Sequence, residues 1–264
     1  MGILNVTPDS FYDGGTHAGV DAAIAHGRTL LAEGADVIDV GGESSRPGAL
    51  PISADEECAL VVPVIAGLRR ETDRPISIDT TKAAVAVAAL AAGADVVNDI
   101  SAGRFDPAIL DRAAEHGAGF VLMHMQGTPT TMQAAPHYDD VVAEVVAFLR
   151  ERTAAAVTAG IDAGRIWLDP GIGFGKRREH NLALLAHLRR LVDLGFPVLV
   201  GASRKRFLSV ADHDTPDDRL AASLAAATLA AANGAAIVRV HDVAATRRAL
   251  ALSDAVTRAS DPTA

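Results

Sequence analysis

The chain has 264 residues, 49% of them apolar, which suits one large domain with a substantial core better than two small ones. Its net charge of −9 argues against nucleic acid as a partner, because neutralising phosphates requires clustered lysine and arginine. The single cysteine, Cys58, excludes a disulfide framework and favours a reducing cytoplasm.

Eight short apolar runs recur along the chain, and a stretch with helical features follows each of them. The runs are residues 3–6, 37–40, 76–78, 96–97, 120–123, 166–168, 198–200 and 237–240. A polar residue stands at or near the end of each run; in chain order these are Asn5, Asp39, Asp79, Asn98, His124, Asp169, Ser203 and the pair Arg239/His241. This repetition predicts an α/β protein with a single (β/α)8 TIM barrel over residues 1–258, and a disordered tail over 259–264.

Local signals support the helices between these strands. Ser53-x-x-Glu56 ahead of an apolar run is a capping box and predicts a helix over residues 54–71. Residues 220–238 are uncharged but interrupted by Asn233-Gly234, which predicts a buried helix and then a strand rather than a membrane span. Six glycines stand shortly before strands, where a helix C-cap favours them: Gly34, Gly93, Gly117, Gly160, Gly195 and Gly234.

Three connections after strands are long and rich in Gly, Pro or Ser. They cover residues 7–15, 41–48 and 126–136. In a TIM barrel the active site is built at the C-terminal ends of the strands. We therefore expect these three loops to cover a site there, although each taken singly could be an ordinary surface loop.

The polar residues at the strand ends indicate what such a site could bind. Asp79, Asn98 and Asp169 offer acceptors and Lys205 offers a donor, which suits a flat heterocycle with several N–H groups. Anion binding is predicted for a second set, consisting of Asn5, Ser45, Arg46, Arg239 and His241. The alternative for any one of these charged residues is a salt bridge at the barrel rim.

One glycine-rich segment resembles a phosphate loop but lacks the required pattern. Gly171-Ile-Gly173-Phe-Gly175-Lys176 has neither the Walker A spacing nor the Rossmann fingerprint, so we expect a loop of close backbone approach. No structural zinc site is expected, whereas Mg²⁺ could be held through substrate phosphate oxygens.

The motifs together resemble the dihydropteroate synthases, the sulfonamide-inhibited pterin-binding barrels of folate biosynthesis. The matching segments, in family order, are residues 1–11, 39–48, 76–80, 97–101, 122–125, 169–176, 201–205 and 239–242. The resemblance implies that (7,8-dihydropterin-6-yl)methyl diphosphate is condensed with p-aminobenzoate, with Mg²⁺ as cofactor, in a cytoplasmic homodimer formed through late helices such as residues 220–232.

The resemblance also implies a role for each matching residue. Asp79, Asn98, Asp169 and Lys205 would hold the pterin, with Met123 and Phe174 also in the substrate site. The diphosphate would contact Asn5, Ser45, Arg239 and His241, with Asn5 also near Mg²⁺. Phe11, Arg46, Pro47 and Ser203 would shape the p-aminobenzoate pocket, and the catalytic set would be Asp79, Lys205, Arg239 and His241.

The chain departs from the family pattern at two places. Ser45 stands where many members have threonine, which keeps the hydroxyl, so we expect binding to persist. Members usually have residues before strand one, so we expect either a shortened chain or a different closure of the barrel bottom. Two alternatives remain open: a pterin-dependent methyltransferase barrel, and a catalytically silent paralogue that binds pterin.

Overall fold

The computed structural model describes residues 1–6, 15–209, 215 and 217–259, with the side chains of residues 15–18 excluded. Within these residues the strands are β1 (Gly2–Asn5), β2 (Ile38–Gly41), β3 (Ile76–Asp79), β4 (Val96–Asp99), β5 (Gly119–Met123), β6 (Ile166–Asp169), β7 (Leu199–Val200) and β8 (Ile237–Val238). The helices are α1 (Gly15–Ala32), α2 (Ala54–Arg69), α3 (Ala83–Ala91), α4 (Ala108–Glu115), α5 (Val141–Thr158), α6 (Arg178–Ala186), α7 (Arg189–Val192), α8 (Leu220–Ala232) and α9 (Val243–Ala259).

The strands form a closed parallel barrel. β1 to β6 pair in sequence order and β7 pairs with β8. The two groups are joined by the bridges Leu168↔Val198 and Gly2↔Val240. The predicted (β/α)8 TIM barrel is therefore confirmed, although β7 and β8 contain only two residues each.

Alternation along the strands separates two apolar regions. Ile38, Ile76 and Phe120 are buried in the large cluster that includes residues of the surrounding helices. Residues of opposite orientation, in the strands or directly before them, form a smaller cluster inside the barrel: Met1, Val37, Val96, Val121 and Leu199, with Trp167 and Ile237 packed against them. Because successive strand residues face opposite sides, the residue two positions further along each strand also faces inward and lies nearer the barrel mouth.

The predicted helix signals are confirmed with small shifts in their bounds. Ser53 and Glu56 form the reciprocal capping box, and α2 ends at Arg69, two residues before the predicted end. All six glycines predicted at helix C-termini have positive φ, as at Gly93, where a Cβ atom would lie 2.7 Å from the Arg69 side chain. The last helix includes Ala259, the first residue of the predicted tail, and residues 260–264 lie outside the described residues.

No helix in the described ranges is both long and apolar enough to span a membrane. The uncharged run 220–238 forms α8, a turn and β8, as its Asn233-Gly234 interruption predicts.

Candidate active site

The barrel mouth brings together polar residues from strands that are far apart in sequence. Asp79 pairs in register with Asn98 on the neighbouring strand, and Met123 pairs with Asp169. Asn98, Met123 and Asp169 are buried, and Asp79 is partly buried. Asn5 ends β1 opposite Gly41 and is exposed. These positions share one end of the barrel because parallel strands direct their C-termini to the same face.

Arg239 is the charged centre of this end of the barrel. Its Nε donates to Asp39 Oδ2 at 2.5 Å, and its Nη2 donates to Asp79 Oδ2 at 2.6 Å. Burial acts to lower the pKa of Arg239, but the carboxylates of Asp39 and Asp79 outweigh it and raise the pKa further above its ordinary value. The guanidinium therefore stays charged and is shared by two carboxylates.

Asp79 is an acidic group whose ionisation is strongly altered by its surroundings. Burial raises its pKa to about 7, although the Arg239 guanidinium opposes the shift. Asp39 adds to the increase because one guanidinium cannot neutralise two adjacent carboxylates. Asp79 therefore titrates near neutrality.

Asp169 and Lys205 form a second charged region of the mouth. Asp169 Oδ1 accepts from Gly171 N at 2.6 Å, and burial raises the Asp169 pKa. Lys205 Nζ donates to the carbonyl of Ile172 and lies 4.5 Å from the centre of the Phe174 ring. Burial lowers the Lys205 pKa to about 8 against the opposing effect of Asp169.

Ser203 and His241 meet after β7 and β8. Ser203 Oγ lies 3.0 Å from His241 Nδ1 and also accepts from His241 N at 3.3 Å. Burial, with the nearby charge of Arg239 next in importance, lowers the His241 pKa to about 4. His241 is therefore neutral at pH 7. Arg204, at φ 58°, binds Asp242 and Asp217 instead.

The loop after β2 is tied to its surroundings at its base. Ser45 is partly buried, whereas Arg46 and Pro47 are exposed. Gly48 N donates to Pro129 O at 3.1 Å, which joins this loop to the one after β5. Phe11 belongs to the loop after β1 and lies outside the described residues.

An ion cluster at the base of the loop after β2 was not predicted from the sequence. Lys82 Nζ donates to Glu43 Oε2 at 2.8 Å and to Glu57 Oε2 at 2.5 Å. Glu43 Oε2 also accepts from Ile52 N at 2.8 Å, so it joins the two ends of the loop. Burial opposes protonation of Lys82, but its bonds to Glu43 and Glu57 outweigh it and raise its pKa. The charged position of Glu57 within the apolar run of α2 was the available signal.

A buried lysine was also missed, in the glycine-rich segment after β6. Lys176 Nζ lies 2.9 Å from His124 Nδ1 and donates to the carbonyls of Gly171 and Phe174, both at 3.0 Å. Burial lowers the pKa of both Lys176 and His124, that of His124 to about 2. The His124 ring packs against Phe148 of α5, so this strand-end residue faces the helices rather than the mouth.

The glycines of the same segment confirm the predicted close backbone approach. A Cβ atom on Gly171 would lie 1.8 Å from His124 O, and one on Gly175 would lie 2.5 Å from Gln126 O. The segment therefore packs directly on the chain after β5, and this packing places Phe174 beside Lys205.

Asp39 differs from its predicted place at a strand end. It is the second residue of β2, its side chain is 0% exposed, and it lies below the mouth. The apolar run 37–40 was interrupted by this residue rather than ended by it.

Comparisons with known proteins agree on one family. Residues 1–241 match the family described as "Pterin binding enzyme". The dihydropteroate synthase of Synechocystis sp. is 48% identical over 98% of this chain and 90% of its own length. The structure is also similar to that of Xanthomonas albilineans dihydropteroate synthase with 4-aminobenzoic acid, at 53% identity and a TM-score of 0.92, over 99% of this chain and 93% of that one. The same enzyme in complex with 7,8-dihydropteroate matches at 51% identity and a TM-score of 0.88, over 99% and 94% of the two chains.

Proposed function

Because the chain belongs to the dihydropteroate synthase family of pterin-binding enzymes, and is therefore a transferase, we propose that it joins (7,8-dihydropterin-6-yl)methyl diphosphate to p-aminobenzoate. The products are 7,8-dihydropteroate and diphosphate. The observation that carries this proposal is the convergence of acceptors and cations at one barrel mouth, with Asp79 and Arg239 in direct contact.

The pterin is assigned to the acceptor side of the mouth. A pterin edge has several N–H donors, and Asp79, Asn98 and Asp169 supply acceptors for them. Lys205 supplies a donor and lies beside the Phe174 ring, which offers an apolar face to a flat heterocycle. Met123 is buried next to Phe174 in a separate apolar cluster and adds to the same surface.

The diphosphate is assigned to Arg239, His241, Asn5 and Ser45. Arg239 is charged and His241 is a neutral imidazole, so each can donate to a phosphate oxygen. These donors stabilise the negative charge that grows on the leaving diphosphate as its bond to the pterin methylene breaks. The arylamine of p-aminobenzoate then forms the new C–N bond and loses its proton to solvent. Departure of the leaving group makes a strong general base unnecessary.

Magnesium fits this site as a partner of the substrate. The described residues contain no group of three or more His, Cys, Asp or Glu side chains that could hold a metal ion. Mg²⁺ is often held through substrate phosphates and few protein oxygens, and the exposed Asn5 offers an amide oxygen at the mouth. When bound there, the ion would neutralise part of the diphosphate charge.

The p-aminobenzoate is assigned to the side of the mouth nearest the loop after β2. Arg46 contributes to the electrostatics at His241, so its charge lies near the diphosphate region. Arg46, Pro47 and Ser203, with Phe11, would surround the second substrate.

The direct test is incubation of the purified protein with both substrates and Mg²⁺, followed by an assay for dihydropteroate. Formation of dihydropteroate with release of diphosphate is expected. Pterin binding without product would instead indicate a silent paralogue. Methyl transfer to or from a bound pterin, with no product from p-aminobenzoate, would indicate a methyltransferase barrel.

The ionisation of Asp79 predicts a proton release on pterin binding. A ligand that donates N–H groups prefers the carboxylate, so its binding lowers a pKa that stands at about 7 in the free protein. We expect affinity to fall by up to about tenfold per pH unit below pH 7, with a proton released at pH 6. Calorimetry in buffers of different ionisation enthalpy measures both effects. Equal affinity and no proton release between pH 5.5 and 8, or a release that persists in Asp79→Asn, would contradict this assignment.

We infer that the chain forms a homodimer through its late helices and works in the cytoplasm, where the free thiol of Cys58 stays reduced. Leu229 on α8 is 59% exposed and Leu252 on the adjoining α9 is 69% exposed. Light scattering is expected to give twice the 27.2 kDa chain mass, and Leu229→Glu with Leu252→Glu is expected to reduce it to one chain. Val157→Glu, at an exposed position of α5, is the matched control. A single-chain mass for the unchanged protein at micromolar concentrations would contradict the inference.

A further inference from the structure

Asp39 is a buried carboxylate that contacts two residues of the site from below. It lies two residues before Gly41, which pairs with Asp79, so it faces the barrel interior about 6–7 Å deeper than the mouth. Its Oδ2 accepts from Asn98 Nδ2 at 3.1 Å and from Arg239 Nε at 2.5 Å. One oxygen therefore holds a residue assigned to the pterin and a residue assigned to the diphosphate.

We propose that Asp39 is a positioning residue that determines which groups Asn98 and Arg239 present to the pterin diphosphate. Asn98 Nδ2 donates to Asp39 Oδ2, so the group of Asn98 that faces Asp39 is the amide NH₂. The carbonyl oxygen of Asn98 is then the group left for the ligand. Asp39 thereby makes Asn98 an acceptor, which selects a donor edge of the heterocycle.

The same contact determines the orientation of the Arg239 guanidinium. With Nε bound to Asp39 and Nη2 bound to Asp79, the planar group is held by two of its edges. Arginine donors have a rigid fork geometry, so two such contacts define the plane of the group and the direction of its remaining donors. Asp39 thus links the orientation of the pterin contact to that of the diphosphate contact.

The other oxygen of Asp39 indicates that the carboxylate is not optimised for stability. Asp39 Oδ1 has no hydrogen-bond partner among the described residues, and neither has Ser77 Oγ, the buried group opposite Asp39 in register. A buried polar atom without a partner costs free energy. A carboxylate at this depth with one unpaired oxygen fits a positioning role better than a stabilising one.

The test is Asp39→Asn, with Ser77→Ala as the matched control at the same depth. In Asp39→Asn the side chain can present either O or NH₂ to Asn98, so the amide direction is no longer determined. In Asp39→Asn we expect pterin affinity to fall about tenfold or more and the KM for p-aminobenzoate to change by less than about twofold. In Ser77→Ala we expect both the pterin affinity and this KM to change by less than about twofold. Pterin affinity that stays normal in Asp39→Asn would overturn the proposal.

A double-mutant cycle separates positioning from general damage. For a pterin without diphosphate, which reaches Asn98 but not the diphosphate donors, Asp39→Asn should add less than about twofold to the loss of affinity already caused by Asn98→Ala. Losses that simply multiply would show that Asp39 acts elsewhere and would overturn the proposal.

A measurement on the unchanged protein covers the case in which Asp39→Asn does not fold. Before any ligand is added, the Asn98 side-chain NH₂, assigned by the loss of its NMR signals in Asn98→Ser, should show a coupling through the hydrogen bond to the Asp39 carboxylate carbon. Slow solvent exchange alone would not suffice, because Asn98 is buried. An Asn98 NH₂ without that coupling would overturn the proposal. This inference rests on the proposed function for its ligand, but the two fail differently: absence of pterin binding by the unchanged protein defeats the function, whereas the ligand-free amide signal tests Asp39 alone.

Discussion

Arg239→Ala is expected to lower kcat by about 10²–10³, because it removes a donor whose contact strengthens as charge develops on the leaving diphosphate. It is also expected to destabilise the fold by about 3–5 kcal/mol, since Asp39 and Asp79 would lose their shared partner in the barrel interior. Steady-state kinetics and urea unfolding measure the two effects. Arg247→Ala removes an exposed arginine that pairs with Asp36 and is expected to leave kcat unchanged.

The contact between Arg239 and Asp79 means that Arg239→Ala also affects pterin binding. In the structure Arg239 donates to Asp79, a residue assigned to the pterin, so we expect the Asp79 pKa to rise further and pterin affinity at pH 7 to fall. A variant with normal kcat and only a raised KM would show that Arg239 holds substrate without assisting departure of the leaving group.

Lys82→Met is expected to have the second largest effect. Glu57 is 0% exposed and would lose its cation, which costs on the order of 3 kcal/mol when a buried pair is broken from one side. Glu43 would lose the same cation at the base of the loop that carries Ser45 and Arg46. We therefore expect lower stability in urea unfolding and a raised KM for p-aminobenzoate, with pterin affinity nearly unchanged.

A second substitution separates the two consequences of losing Lys82. Lys82→Met with Glu57→Gln removes the buried negative charge, so much of the stability should return. The loop base should stay weakened because Glu43 still lacks its partner, and the raised KM should persist. Recovery of both stability and KM in the double variant would show that Lys82 does not act through Glu43.

The strands and helices were predictable because their signals are local. The apolar runs, the Ser53–Glu56 capping box and the glycines before the strands each reflect interactions within a few residues. The structure moved most strand bounds by one or two residues, and shortened β8 to Ile237–Val238. Propensity and capping act over one or two turns, so a single sequence contains these signals directly.

Which residues face the mouth was only partly predictable. The repetition of polar strand ends correctly indicated the C-terminal face and brought Asp79, Asn98, Asp169 and Arg239 to it. The same repetition also included His124, which faces α5. It placed Asp39 at a strand end, although Asp39 lies deeper in the barrel than the mouth. Alternation gives opposite directions to neighbouring strand residues, so an error of one position moves a side chain to the other face.

The sequence by itself determined the fold class, the family and the chemical types of the site residues, because these depend on local patterning and on side-chain identity. Tertiary structure decided the pairings: Arg239 with both Asp39 and Asp79, Lys82 with Glu57, and Lys176 with His124. Residues 39 and 239 are 200 positions apart along the chain and meet only because the barrel closes between β8 and β1. Burial at those contacts then changes the pKa values, since the cost of charge depends on the surroundings that closure creates.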